Sequence, residues 1–375
     1  MEAGAAPAQG LERGETSPAN VKVKPYKHED ALFAISLIVS LGFWFSLFLV
    51  TLGMVVFWIL ALFIGYLFAH SAFIAYIKGT GVRLGPEQSP ELYARVRECA
   101  AGLGIPAPET YLLNGQGLLN ALATRFLGRN FIVLYSDVVD ALESRPQALN
   151  FYIGHELGHI KRKHLSWGPV LWPASLMPLI GPAYSRAREY TCDAYGQACC
   201  ETPTDAAVGL AVLAAGPSRW SKVDVQAYAG QSTETGGFWM SFHELVGDYP
   251  WLVKRMEHVK ARATRSAPAI PGRNPMAWVV AFFVPRVGVG GSAAGMMVVV
   301  AIAGILAAIA IPAYQDYITK AQASAAFMDA EPVTEQVGAY VISNGALPES
   351  LSDAGVRADY ASRNIRSVRL TDNGV

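Results

Sequence analysis

The sequence predicts an α+β protein tied to a membrane, on three observations. A long N-terminal stretch carries no charge, short strand-like runs alternate with helical ones in the middle of the chain, and a further apolar run lies towards the C-terminal end. Of 375 residues 52% are hydrophobic and only 16% charged, against roughly 25% charged in ordinary soluble domains, and mean hydropathy is +0.27. Thirty basic residues balance thirty acidic ones, so composition gives no support to a nucleic-acid partner. The four cysteines, Cys99, Cys192, Cys199 and Cys200, lack C-x-x-C spacing. That suits neither a disulfide framework nor a cysteine-rich zinc module, and a reducing compartment is the simpler reading.

Residues 1–30 read as a disordered cytoplasmic tail, rich at first in Ala, Gly and Pro and then basic at Lys22, Lys24 and Lys27. From Ala31 to Ile77 no Asp, Glu, Lys or Arg occurs. As one helix this run would extend about 70 Å, over twice a ~30 Å hydrocarbon core, so residues 31–78 are expected to form a hairpin of two spanning helices, turning near Thr51-Leu52-Gly53. Basic residues flank its outer ends, at Lys22, Lys24 and Lys27 and again at Lys78 and Arg83, while the turn has none. The positive-inside rule then places both ends in the cytoplasm.

Residues 79–273 have the composition of a folded domain. Ser89-Pro90 reads as a helix start, with Leu92, Val96, Cys99 and Leu103 on one face and Gly104 at the end. Thr110–Leu113 and Phe131–Tyr135 read as strands, separated by a turn-rich stretch at Asn114–Gly117. The apolar run Trp167–Tyr184 contains Pro169, Pro173, Pro178 and Pro182, which argues against a regular spanning helix and for a loop or short helices against the membrane. Residues 274–312 read as a linker and a third spanning helix, Ala293–Ile311, which places a short outer domain, 313–375, on the opposite side.

The chemistry concentrates in Phe151–Ile160, which contains H-E-x-x-H within a helix expected from Pro146 onward, with Leu149, Tyr152, Ile153 and Ile160 buried. At i and i+4 the imidazoles of His155 and His159 share one helix face and can converge on one Zn²⁺. Glu156 then stands where it can take a proton from a water without ligating the ion. A catalytic zinc needs a third protein ligand. The extended H-E-x-x-H-x-x-G-x-x-H pattern fails, because Arg162 and Leu165 stand where its glycine and histidine would be, and His164 is one place off that register. Thirty residues past His159, Ser185–Asp193 puts Glu189 and Asp193 at i and i+4 on a second apparent helix. Glu189 is the natural third ligand, and Asp193 can accept the free ring N–H of a ligating histidine. An exposed acidic pair that compensates Arg186 and Arg188 is the bland alternative.

The hydrophobic hairpin, H-E-L-G-H-I and S-R-x-x-E-Y-x-x-D together resemble the membrane zinc endopeptidases of the HtpX and CAAX prenyl endopeptidase type, over about residues 80–260. That resemblance implies a gluzincin-type fold and site, with one zinc per chain held by His155, His159 and Glu189, Glu156 as catalytic base and Asp193 behind the ligands. Asn120-Ala121 matches an Asn-Ala that the family carries ahead of its edge strand, here expected to be Phe131–Tyr135, which could pair with an extended peptide. Where family members carry His-Pro before an Arg, this chain has Tyr249-Pro250 followed by Arg255, so Tyr249 or His243 is left as the candidate donor to the oxyanion.

Met297–Tyr317 resembles the N-terminal helix of a type IV pilin, apolar up to Pro312 and amphipathic beyond, but Gly290–Gly295 replaces the processing signal and the glutamate used in assembly. A plain third spanning helix explains this segment as well. The function expected is that of a membrane-bound zinc endopeptidase acting on membrane or membrane-near polypeptides, in the manner of quality-control peptidases. It would sit in a bacterial inner membrane, with the peptidase domain cytoplasmic and the C-terminus periplasmic. The rival is a non-catalytic scaffold, or a component of a pilus or secretion assembly.

Overall fold

The computed structural model describes residues 21–117, 120–284 and 293–371, with the side chains of 293–310 outside the description. The expected disorder of 1–20 and the apolar character read into Ala293–Ile311 therefore fall outside the described residues or side chains. The protein is a mixed, mostly helical structure with one small sheet, in two compact units, 1–292 and 293–375.

Two apolar helices open the first unit, α1 (Glu29–Val50) and α2 (Val55–Thr80), of 22 and 26 residues, each long and apolar enough to cross a membrane. The turn between them uses Leu52 and Gly53, both at positive φ. The segment before α1 departs from the expected tail. Val21 N–H donates to the Gly102 carbonyl at 3.0 Å and Tyr26 N–H to Thr191 Oγ1 at 2.8 Å, while the Tyr26 ring stacks on Tyr190. Residues 21–30 are thus docked on the domain, because their polar groups find buried partners far along the chain.

After α2 come β1 (Val82–Arg83), α3 (Pro90–Gly102), β2 (Glu109–Leu113), β3 (Ala121–Phe126) and β4 (Arg129–Tyr135). Strand order is β1-β2-β4-β3, with β2 and β4 parallel and the other pairs antiparallel. The expected edge strand is corrected here: Phe131–Tyr135 belongs to β4, which is interior, and β3 is the edge. Leu127 and Gly128, both at positive φ, form the tight turn that folds β3 back on β4. One sheet face, with Tyr111, Leu113, Phe131 and Val133, packs on Ile74 and Ile77 of α2. The other, with Ala121, Ala123, Ile132 and Leu134, joins the main core. A hydrogen bond of 3.0 Å between His70 of α2 and Thr124 of β3 ties the edge strand to the membrane hairpin.

The remaining helices are α4 (Ser136–Ala141), α5 (Leu149–Lys161), α6 (His164–Leu176), α7 (Ile180–Cys199), α8 (Pro203–Ala215), α9 (Val225–Gly230), α10 (Phe238–Val246), α11 (Leu252–Thr264) and α12 (Pro275–Phe282). The proline-rich run is helical in α6, which contains Pro169 and Pro173 and leans on α1 through a Trp44 Nε1–Val170 carbonyl bond of 3.1 Å. Residues 275–282 are not linker: Ala277 and Ala281 of α12 pack on Leu245 and Val246 of α10, and Asn274 caps the helix.

The pairing that builds the site is α5 on α7, and small residues make it close. A Cβ on Gly154 would lie 2.8 Å from the Tyr195 carbonyl oxygen, and one on Gly196 would lie 2.6 Å from that of Phe151. No side chain fits between the two backbones there. In the second unit α13 (Ala293–Asn344) continues through Pro312 and Pro332, and the chain then folds back so that Leu351 and Val356 cluster with Val333 and Val337.

Candidate metal centre

α5 is preceded by a 3₁₀ turn at Pro146–Ala148 and buries residues from Leu149 through Gly158, including His155 and Glu156. A polar triplet so deep in a helix must be satisfied by groups from elsewhere, since unpaired burial is costly. α7 supplies them. Glu189, 5% exposed, brings Oε2 to 3.4 Å from His155 Nε2 and Oε1 to 3.7 Å from His159 Nε2. These separations are longer than good hydrogen bonds and close to the ~3.3 Å edge of a tetrahedron whose bonds are ~2.0–2.1 Å. Oε2 faces one ring and Oε1 the other, and two imidazole nitrogens with a carboxylate are donor types that zinc takes.

Both rings turn Nε2 towards Glu189 and Nδ1 away from it. His155 Nδ1 meets Asp193 Oδ1 at 3.0 Å, and Asp193 is gripped by Arg255 of α11 through bonds of 2.8 and 2.6 Å. His159 Nδ1 meets His164 Nδ1 at 3.1 Å. Burial disfavours protonation of His155, but its hydrogen bonds to Asp193 and Glu189 outweigh that and raise it to about 10. Burial likewise pushes the Glu189 carboxyl up, and the His155 contact and charge overcome it, holding it at about 2. His159 is driven well down by burial.

Cys192 offers a different third donor, since its sulfur and nitrogens of His155 and His159 all lie within 4.8 Å of one another. Its Sγ is 3.7 Å from His164 Nδ1, the atom that faces the Nδ1 of His159. Burial, with Glu189 and Glu156 nearby, raises the thiol well above its ordinary value in the absence of a metal ion. Glu189 is the group that both Nε2 atoms face.

Glu156 Oε2 accepts the main-chain N–H of Ala123 at 2.6 Å, which places this carboxylate beside the free edge of β3, and burial raises its pKa. Because Ala123 N–H points away from β4, alternate residues of β3 turn their peptide groups to the side that carries no described strand. Asn120 lies exposed just before β3, its carbonyl accepting from Tyr135 N–H at 3.4 Å, and Ala121 is the buried first residue of the strand. Tyr249 is 57% exposed, and the charge of Glu189, burial and Glu156 raise its pKa, so it lies in the field of the site. His243 is exposed on α10, with its ring against Trp239 and Phe242.

Sequence reasoning missed Arg255, His164 and Glu29 as contributors around the ligands. It also missed Arg186, whose guanidinium donates to the carbonyls of Glu244, Leu245 and Gly247 and so holds the end of α10. An arginine beside a carboxylate in sequence suggests a local ion pair, and nothing local shows that it reaches another helix.

A buried H-E-x-x-H helix facing a carboxylate-bearing helix has the donor set of a zinc metallopeptidase. Residues 86–168 match the family model for peptidase family M48. A plastoglobule-localized metallopeptidase 48 of Arabidopsis thaliana is 28% identical over 171 residues, 41% of this chain and 49% of that protein. These findings support an M48-type zinc peptidase. The pilin resemblance also has relatives. A type IV major pilin protein PilE1 of Neisseria gonorrhoeae is 42% identical over 83 residues, 21% of this chain and 46% of the pilin. A fimbrial protein of Neisseria meningitidis serogroup A is 43% identical over 82 residues, covering 21% and 48%. The chain thus spans about half the length of the curated relatives it matches. No solved structure matches it.

Proposed function

We propose that the chain is a membrane-bound zinc endopeptidase. The observation that carries this reading is the Glu189 carboxylate, set 3.4 and 3.7 Å from the two Nε2 atoms of α5 with Glu156 beside it. His155, His159 and Glu189 hold one Zn²⁺, and Asp193 fixes the tautomer of His155. When bound, the ion supplies Lewis-acid charge, which acidifies water and polarises the scissile carbonyl. Glu156 takes the proton of the attacking water at a carboxylate oxygen and delivers it to the departing amine nitrogen. An extended peptide lies along the open edge of β3, from Asn120 and Ala121 onward, where main-chain groups orient it. Tyr249 donates its hydroxyl to the oxyanion, a role supported by the charge of Glu189 being felt at its ring. Two spanning helices in the same unit favour membrane or membrane-near polypeptides, including misfolded ones, as substrates, and the pilin-like segment serves as a third membrane anchor.

The test is casein degradation by the purified full chain in detergent, with zinc content measured in parallel. Glu156→Gln should lose about 10²–10⁴-fold in rate and keep its zinc, whereas His155→Ala should lose both. A Glu156→Gln variant as active as its parent overturns the role of Glu156, and a zinc-loaded parent that degrades nothing leaves a scaffold.

A further inference from the structure

The two histidines of the centre are supported differently, and the support of His159 reaches the membrane anchor. His159 turns Nε2 to Glu189, so to offer a lone pair from that atom its ring must carry hydrogen on Nδ1. That N–H points at His164 Nδ1, 3.1 Å away, which must then be the acceptor. A neutral imidazole accepting at Nδ1 carries hydrogen on Nε2. His164 Nε2 lies 3.2 Å from Glu29 Oε1, a carboxylate ready to accept. One assignment of protons satisfies all three contacts at once.

Glu29 is fixed as firmly as Asp193. It is 1% exposed at the first turn of α1, receives Arg162 Nε at 3.0 Å and the Thr191 hydroxyl, and leads out of the docked segment anchored by Tyr26. His164 is 4% exposed and held between α1 and α7. Each ligand histidine therefore has its own buried carboxylate, Asp193 directly on His155 and Glu29 through one further imidazole on His159.

We propose that His164 and Glu29 are positioning residues of the metal centre, through which the base of membrane helix α1 orients His159 and tightens the hold on zinc. The inference rests on the metallopeptidase reading. It couples anchorage to metal retention: when the segment before α1 leaves its seat, zinc leaves faster.

The experiment uses the full chain in detergent micelles and measures zinc affinity and release rate against a chromogenic chelator. His164→Leu removes the acceptor, and His164→Gln restores both an acceptor for His159 and a donor for Glu29. His164→Leu should bind zinc 10–100-fold more weakly, as loss of such partners generally does, while His164→Gln stays within a few-fold of the parent. Glu29→Gln, which keeps a neutral acceptor, should release zinc at least threefold faster, and it decides the matter if His164→Leu fails to fold. Parent-like retention in His164→Leu, or equal weakening by Leu and Gln, overturns the positioning role. So does an unchanged release rate in Glu29→Gln if that variant has to decide. These results leave the peptidase reading standing. A parent chain that binds no zinc removes both.

Discussion

Arg255 grips Asp193 with two hydrogen bonds of 2.8 and 2.6 Å, and Asp193 in turn holds His155 Nδ1 at 3.0 Å, so a residue of α11 orients a donor on α5 without touching it. Arg255→Lys keeps the charge and loses the fork. It should weaken zinc binding by about 10-fold, and Asp193→Ala by up to about 100-fold. Competition with a chelator dye checks both, and parent-like affinity in Asp193→Ala would refute the link.

The close contact of α5 with α7 predicts that Gly154 tolerates no side chain. In Gly154→Val the added carbons meet the Tyr195 carbonyl and Cys199, so either the helices part or the fold gives way. Overpacking of this kind costs roughly 1–3 kcal/mol or more. The expected result is a lower thermal midpoint together with weaker zinc binding, because the ligands come from both helices. A change at Gly168, where a Cβ meets nothing within 4 Å, should be silent on packing grounds.

Glu244 accepts from Lys254 Nζ at 2.6 Å and Arg273 Nε at 3.0 Å, and its side chain is fully buried. Removing the carboxylate strands Lys254, so Glu244→Leu should cost about 3–5 kcal/mol in denaturant unfolding. Stability equal to the parent's would show that the pair contributes nothing.

The same carboxylate gives a pH dependence. Burial pushes Glu244 upward, but Arg273 and Lys254 outweigh it and hold the folded pKa below the ordinary 4.5. Burial moves Lys254 downward in spite of Glu244, so the acid-side argument rests on the carboxylate. A depressed carboxyl contributes stability that is complete above its unfolded value and is lost as pH falls through the folded one. Unfolding followed from pH 6 downward should show stability declining from about pH 5, and Glu244→Gln should flatten that part of the curve.

Arg186 satisfies three carbonyls at the end of α10, and Arg186→Ala leaves them without it. A loss of about 1–3 kcal/mol is expected. Faster amide exchange confined at first to α10 distinguishes this from general unfolding, whereas parent-like protection there would contradict it.

Much of this was legible locally. The chargeless run became two apolar helices with the turn at Leu52 and Gly53, and Ser89-Pro90 opened α3, although the Ser89 side chain makes no capping bond. The ligand spacing in H-E-x-x-H needed only helix geometry. β3, with its Thr and Arg, is a weaker strand signal than β4, and edge or interior depends on which neighbours pair. The tail was misread because Glu29 and Tyr26 look solvated in sequence, and their partners, Arg162, His164 and Thr191, lie more than a hundred residues away.

By itself the sequence determined the apolar hairpin, the helix that carries His155, Glu156 and His159, and the donor chemistry suited to zinc, because periodicity and spacing act within a few turns of one chain segment. Tertiary structure decided which carboxylate meets both imidazoles, that Arg255 and Glu29 stand behind them, and that β3, not β4, is an edge strand. The first of these depends on how closely the backbones of α5 and α7 approach at Gly154 and Gly196, and all of them arise only between surfaces brought together by folding.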